Sequence, residues 1–260
     1  MCRGSSITRL RELNQEIAYA WLNNERVTAL KTSIKVARLL SDTSVPQFYP
    51  TLFVLVTEVM DTVGRLVYDR IYTKAEKEDD GTPVATLPKG FKASQVRQDA
   101  KDTCTNWFYK IGAIPDLLPR IYLEMAIVRC TCFLHDEPPL DTFQRLTMMM
   151  RGLSDPLAAV YARCYLVRRA AVVLPPTEKG FMLTALSDFL RYFARLAGGE
   201  FDPRIAAAGL TRTQYVALLQ PGLQWILDRA CLMAQRNTLQ QVREPRVSKG
   251  SCGAAGNTPR

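Results

Sequence analysis

The stretch TLFVLVTEVMDTVGRLVYDRIYTKAEK, residues 51–77, decides the fold class of this chain. Its apolar residues recur every three or four positions, which is the spacing of one face of an α-helix, and the run ends in charged residues. No segment of the chain shows a convincing alternation of apolar and polar residues that would predict a β-strand. We therefore expect residues 51–77 to form a long helix within an all-α protein.

The same helical spacing appears on both sides of this stretch. Residues 7–24 place five apolar residues on one face, namely Ile7, Leu10, Leu13, Ile17 and Trp21. Residues 24–42 do the same with Val27, Leu30, Ile34, Ala37 and Leu40. Further helices are predicted over 94–114, 117–130, 141–152, 155–174 and 177–198 and around 215–235. About nine or ten helices with mostly short connections indicate a HEAT-like α-solenoid of antiparallel helix pairs, although a globular bundle fits the same pattern.

The boundaries follow from local signals. We expect a disordered N-terminus over 1–6, an α-solenoid over 7–240 with an internal polar loop at about 76–92, and a disordered basic tail over 241–260. Ser154 or Asp155, followed by Pro156, predicts the start of a helix, and Gly152 is expected to end the preceding helix in the left-handed conformation.

Composition and charge narrow the class of protein. A hydrophobic content of 47% and a charged content of 23% are typical of soluble globular proteins, and no apolar run approaches the roughly 18 residues of a membrane span. The net charge is +9, but only the last 20 residues concentrate it, with four basic residues and one acidic residue. Elsewhere basic and acidic residues are interspersed, so nucleic acid is not expected as a partner, and binding through 241–260 stays an alternative. Seven cysteines, mostly in apolar segments, indicate reduced thiols in a cytoplasmic protein.

The chain carries no recognisable catalytic pattern. Its single histidine, His135, lies in the polar segment LHDEPPLD, and Cys130 and Cys132 form a C-x-C that lacks the spacing of a zinc site. Phosphate-binding, nucleophile-elbow and metalloprotease motifs are missing from the sequence. We predict no enzymatic activity, no cofactor and no metal.

Two arginines stand in apolar helices. Arg120 lies within LLPRIYLEMAIVRC, residues 117–130, and Arg163 within VYARCYL. Burying a guanidinium costs several kcal/mol unless it is paired, and Glu124, four residues after Arg120, shares its helix face. We interpret both arginines first as structural charges that hold neighbouring helices in register.

The segment PRIYLE, residues 119–124, resembles the PRLYL-type signature of the large α-solenoid subunit of retromer, the vacuolar protein sorting thirty-five family. Residues 151–168 are similar to a second segment of that family, of the form RG-x-x-x-PL followed by R-x-YL. The runs 37–72, 102–114 and 155–166 resemble more closely the paralogous large subunit of retriever, the thirty-five-like family, and the resemblance covers roughly residues 9–240.

This resemblance implies a non-catalytic scaffold for endosomal sorting, cytoplasmic and peripheral on endosomal membranes. In that family the N-terminal solenoid binds an arrestin-fold subunit, and the complex recycles membrane cargo to the cell surface. Carried over by motif, the candidate partner-binding residues are Pro119, Arg120, Tyr122, Leu123 and Glu124. The alternatives are a retromer-type endosome-to-Golgi sorting subunit and a general helical adaptor.

The resemblance is limited to the N-terminal part of family members, which run several hundred residues further. We therefore expect the site for a phosphoesterase-fold subunit to be missing from this chain, whose sequence would come either from a truncated gene model or from a short paralogue.

Overall fold

The computed structural model describes residues 3–78, 80–175 and 180–243, with side chains described from residue 7 to residue 229 within those ranges. These ranges contain ten α-helices, α1 (Arg3–Leu22), α2 (Arg26–Arg38), α3 (Tyr49–Glu76), α4 (Gln98–Gly112), α5 (Leu117–Ile127), α6 (Leu140–Met149), α7 (Pro156–Val173), α8 (Gly180–Ala197), α9 (Asp202–Ala207) and α10 (Arg212–Arg243). In the part of the chain so described, extended pairing is limited to one isolated bridge, between Lys77 and Pro83. The prediction of an all-α fold is confirmed.

The helices share one hydrophobic core, which extends from Leu10 on α1 to Ile226 on α10. The packed pairs include α1 with α2 and α3 with α4, which are consecutive along the chain, and α6 with α8 and α7 with α10, which are not. This arrangement is consistent with a solenoid-like array. α5 lies within it, in contact with α2, α3, α4, α6 and α7, which explains why almost every residue of this short helix is apolar.

The long helix predicted from residues 51–77 is α3, whose 28 residues span about 42 Å at 1.5 Å per residue. It passes very close to the end of α5. A Cβ atom added to Gly64 would lie 2.2 Å from the carbonyl oxygen of Ala126, so only glycine permits this approach of the two backbones.

The C-terminal end of α5 differs from the prediction. The α-helix stops at Ile127 and the chain continues as a 3₁₀ helix, Val128–Phe133, instead of remaining α-helical to Cys130. Arg169 on α7 donates hydrogen bonds of 3.2 Å to the carbonyl oxygens of Met125 and Ala126. Arg169 thus places a cation at the C-terminal end of α5, where the carbonyl of Met125 also accepts from the backbone N–H of Val128.

Two terminal boundaries also differ. α1 begins at Arg3, so residues 3–6 are helical where a disordered N-terminus was expected, and α10 continues to Arg243, beyond the predicted limit of 240. Once the amphipathic part of a helix has formed, polar residues can extend its ends at little cost in free energy. The spacing of apolar residues does not reveal such extensions. The predictions for residues 1–2 and 244–260 lie outside the described residues.

Around residues 152–156 the structure confirms the predicted helix cap but not the predicted role of Gly152. Asp155 caps α7, because its Oδ1 accepts a 2.9 Å hydrogen bond from the backbone N–H of Ala158. Gly152, in contrast, ends a 3₁₀ turn without a positive φ. Gly152 instead packs against the side chain of Leu117. A Cβ atom added to Gly152 would lie 2.7 Å from Cδ2 of Leu117, so a residue without a side chain permits this close contact.

The buried face of α2 is rotated from the predicted one. Ala37 and Leu40 are buried as expected, but Val27 is exposed and the polar Thr32 and Ser33 are buried. Ser33 donates a 2.8 Å hydrogen bond to the carbonyl of Ala29 and Thr32 donates one of 2.7 Å to Glu16. Because these hydrogen bonds satisfy both hydroxyl groups, Thr32 and Ser33 can be buried at little cost in free energy. The spacing of apolar residues alone does not indicate this.

Candidate functional site

The segment Pro119–Glu124 occupies the first two turns of α5, and most of it is inaccessible. Pro119, Tyr122 and Leu123 are buried, and the side chain of Glu124 is only 5% exposed. Arg120 has 34% of its side chain exposed. Of the five predicted partner-binding residues, Arg120 is thus the one that presents a substantial polar group to the surface.

The buried aromatic residue of this segment packs across to α7. The rings of Tyr122 and Tyr165 are stacked, with centroids 5.4 Å apart and planes 13° from parallel. The Tyr165 hydroxyl donates a 2.9 Å hydrogen bond to Asp61 on α3, whereas the Tyr122 hydroxyl has no hydrogen-bond partner among the described residues. Burial raises the pKa of both phenols, so both stay protonated at neutral pH.

Arg120 is held by a carboxylate shared with a second arginine. Its Nε donates a 2.8 Å hydrogen bond to Oε1 of Glu124, as the i, i+4 spacing predicted. The other oxygen of Glu124 accepts a 2.6 Å hydrogen bond from Nη2 of Arg145 on α6. Two guanidinium groups therefore meet one buried carboxylate, and this triad fixes the orientation of Arg120 and leaves a net positive charge beside the surface.

Arg163 is buried in α7, with no exposed surface, and is paired with α8. Its Nη1 donates a 2.8 Å hydrogen bond to the carbonyl of Ala159, and its Nη2 lies 3.5 Å from Asp188 Oδ2. Burial lowers the pKa of Arg163, while Asp188 opposes this effect. The interpretation of Arg163 as a charge that ties neighbouring helices together is consistent with this geometry.

The sequence did not indicate the acidic residues that pair with arginines on other helices. Asp188 lies in the segment predicted as helix 177–198, and Asp61 in the stretch 51–77, each without any local sign of its role. Asp61 accepts hydrogen bonds from Arg168 at 2.6 Å and Arg169 at 3.3 Å, more than 100 residues away in sequence. Only local pairs such as Arg120 and Glu124 are visible as a spacing.

The thiols and the histidine do not form a reactive cluster in the described part of the chain. Burial raises the pKa of Cys104 and of Cys164 to about 12, so these thiols are protonated at neutral pH. His135 is exposed, and its neighbour Asp136 accepts a 2.6 Å hydrogen bond from the backbone N–H of Ala93. Within the described ranges, no three His, Cys, Asp or Glu side chains are grouped so that they could hold a metal ion.

The described helices also include none with the length and apolar character needed to cross a bilayer.

Comparison with known proteins identifies relatives over nearly the whole chain. The chain is 39% identical to "VPS35 endosomal protein-sorting factor-like" of Rattus norvegicus over 238 residues, which are 92% of this chain and 25% of the rat protein. It is 40% identical to the Danio rerio protein of the same name over 236 residues, or 91% of this chain and 24% of the fish protein. The Homo sapiens protein of that name is 38% identical over 92% of this chain and 24% of its own length.

The chain thus spans about a quarter of the length of these curated relatives. A sequence profile described as VPS35L, for the N-terminal region of the family, matches residues 2–218, which include all of α5 and its surroundings. The resemblance to the thirty-five-like family is therefore confirmed, and the chain belongs to the VPS35L family.

Proposed function

We propose that this chain is a scaffold in endosomal protein sorting and that it binds an arrestin-fold subunit of a retriever-like complex. The observation that supports the proposal is the match of residues 2–218 to the N-terminal region of VPS35L, whose curated members are named as endosomal protein-sorting factors. Such a scaffold would act in the cytoplasm, peripheral on endosomes, in the recycling of membrane cargo to the plasma membrane.

Within this proposal α5 has two tasks. Pro119, Tyr122 and Leu123 are buried and support the helix from inside, so their contribution to partner binding is indirect. Arg120 contributes directly, because Glu124 holds its guanidinium at the surface with unused donor groups. A guanidinium fixed in this way loses less side-chain entropy on binding than a free one.

Pull-down of the purified chain with the purified arrestin-fold retriever subunit tests both parts. We expect the wild type to bind and Arg120→Ala to bind at least about tenfold more weakly. A tenfold loss of affinity corresponds to the loss of one charged interface contact that contributes about 1.4 kcal/mol. The matched control is Arg9→Ala, which also removes an exposed arginine paired with a glutamate on its own helix. The control should bind like the wild type.

Each failure has a separate meaning. If the folded wild-type chain does not bind, the partner assignment is wrong. If Arg120→Ala binds as well as the wild type, the partner assignment stands and Arg120 serves only its internal ion pair with Glu124.

Two alternatives have less support. A retromer-type subunit would be expected to match the retromer family rather than the VPS35L profile that covers residues 2–218. Nucleic-acid binding depends on residues 241–260, of which 244–260 lie outside the described residues. It predicts an affinity that falls steeply with salt and is lost on deletion of that tail.

A further inference from the structure

A concavity between α8 and the 3₁₀ turn Met150–Gly152, which follows α6, is lined by four charged residues and one tyrosine. Its volume is about 240 Å³, and its lining residues are Arg151, Asp188, Arg191, Tyr192 and Arg195. It is distinct from the Arg120 triad, since the two share no residue. Drug-sized ligands occupy pockets of roughly 300–1,000 Å³, so a space of this size suits a single small group.

The charges around Asp188 do not balance. This carboxylate is 3% exposed and meets three guanidinium groups. Arg151 Nε lies 2.9 Å from its Oδ2, Arg191 Nη1 3.4 Å from its Oδ1, and buried Arg163 Nη2 3.5 Å from its Oδ2. Glu200, by contrast, pairs with Arg195 and neutralises it. The cluster around Asp188 therefore carries two positive charges that no described carboxylate compensates.

Hydrogen-bond donors are also left over at this position. Each guanidinium has five N–H groups, and in the described structure Arg151 uses only Nε and Arg191 only Nη1. The Nε of Arg163 is buried without a partner. Arg191 is the most accessible of the three, with 69% of its side chain exposed. The unused donors of Arg151 and Arg191 border the same open space.

Tyr192 forms the floor of the concavity and is held by contacts to neighbouring elements. Tyr192 is buried and its hydroxyl donates a hydrogen bond to the carbonyl of Leu153, which joins α8 to the segment before α7. The guanidinium carbons of Arg163 and Arg195 lie 5.5 Å and 5.6 Å from the centre of the Tyr192 ring. A site that is already organised loses little entropy when a ligand enters.

We propose that this concavity binds a phosphate group, as free phosphate or as the phosphomonoester of an inositol headgroup. A phosphate dianion supplies the two missing negative charges and three acceptor oxygens, and arginine forks match it in geometry. Four of the five lining residues are charged, and the volume lies below the range that drug-sized ligands occupy, which favours a small phosphorylated headgroup over a peptide segment.

Isothermal titration of the whole chain with sodium phosphate and with inositol 1,4,5-trisphosphate tests this proposal. The variant is Arg191→Gln, since its distant contact with Asp188 makes it dispensable for folding, and the control is Arg9→Gln, which removes the same charge from α1. We expect Arg191→Gln to weaken binding about tenfold, as for the loss of one charge-assisted hydrogen bond, and Arg9→Gln to change it less than twofold.

Co-sedimentation with phosphatidylcholine vesicles, with and without phosphatidylinositol 4-phosphate, separates the two sources. Binding that requires the phosphorylated lipid and is lost in Arg191→Gln supports a headgroup, and binding of the soluble anions alone supports a free phosphate compound. Three results would overturn the proposal: no binding of either soluble anion at millimolar concentration, equal binding by Arg191→Gln and the wild type, or binding of a phosphoserine peptide alone.

Discussion

At the scale of single residues, the carboxylate of Glu124 holds two arginines that lie on different helices. Its two oxygens accept from Arg120 and Arg145, and it is nearly inaccessible while both partners are partly exposed. A buried charge is tolerable only with such partners, and removing one member leaves the rest of the network without its counter-charge. The pair Arg120–Glu124 could be predicted from its spacing, whereas Arg145 could not.

The first prediction concerns this carboxylate. Glu124→Gln keeps the shape but removes the charge, and we expect the free energy of unfolding to fall by about 1–3 kcal/mol. The control is Glu12→Gln, whose exposed pair with Arg9 should contribute no more than about 0.5 kcal/mol. Urea unfolding followed by circular dichroism measures both. An equal loss in the two variants would contradict the importance of the triad.

A second prediction concerns the close approach of α3 at Gly64 to the end of α5. Gly64→Ala forces apart α3 and the carbonyl of Ala126, which belongs to the backbone and cannot rotate away. We expect a loss of about 1–3 kcal/mol, as for an overpacked core.

The control for Gly64 is Gly112→Ala, since Gly112 is also helical but has no atom within 4 Å of an added Cβ. Its thermal midpoint should stay unchanged or rise, because alanine favours helix over glycine. A loss of stability at Gly112 equal to that at Gly64 would contradict the contact with Ala126 as the cause of the loss at Gly64.

At the scale of elements, α5 and α7 depend on each other. α7 supplies Tyr165 to the stack with Tyr122 and Arg169 to the last carbonyls of α5. The sequence indicates both helices by their apolar spacing, but α7 is buried on nearly all sides, so its spacing cannot show which face meets α5. The mutual orientation depends on contacts between residues over 40 positions apart.

The third prediction compares the two stacked tyrosines. Tyr165→Phe removes the hydrogen bond to Asp61 and should lower the free energy of unfolding by about 1 kcal/mol. Tyr122→Phe removes a buried hydroxyl without a partner, so its stability should be equal to the wild type or higher. Both variants keep the ring, and each is the control for the other in urea titrations. An equal loss in both would mean that the hydroxyl of Tyr122 is satisfied in solution.

At the scale of the whole molecule, one continuous core joins the first helix to the last. α1 and α4 meet in the stack of Trp21 on Trp107, with centroids 6.0 Å apart, while Trp225 lies on α10. Arrays of weakly coupled repeats can unfold in parts, but a shared core links distant helices in one transition.

The fourth prediction follows from this core. In Trp225→Phe the remaining tryptophans are Trp21 and Trp107, so fluorescence reports the unfolding of α1 and α4. In the double variant Trp21→Phe/Trp107→Phe only Trp225 remains, so fluorescence reports the unfolding of α10. We expect the fluorescence midpoint in urea to coincide in each variant with that of its own circular dichroism curve. Separate midpoints for fluorescence and circular dichroism within one variant would show that the two ends unfold independently.

The sequence by itself determined the fold class, the approximate positions of most helices, a cap for α7 at Ser154 or Asp155, and the pair Arg120–Glu124. These features depend on residues within one or two helical turns, so their spacing along the chain carries the information. Motif resemblance added the family, and comparison with known proteins confirmed it.

Only the tertiary structure decided the rest. The buried face of α2, the packing role of Gly152, the approach of Gly64 to Ala126 and the arginines gathered around Asp188 all join residues distant in the chain. The partner of each of these residues depends on how the described helices pack around their shared core. The spacing of residues within one helix does not determine that packing. For the segment PRIYLE the structure showed which side chains are inside, and Arg120 is the one that reaches the surface.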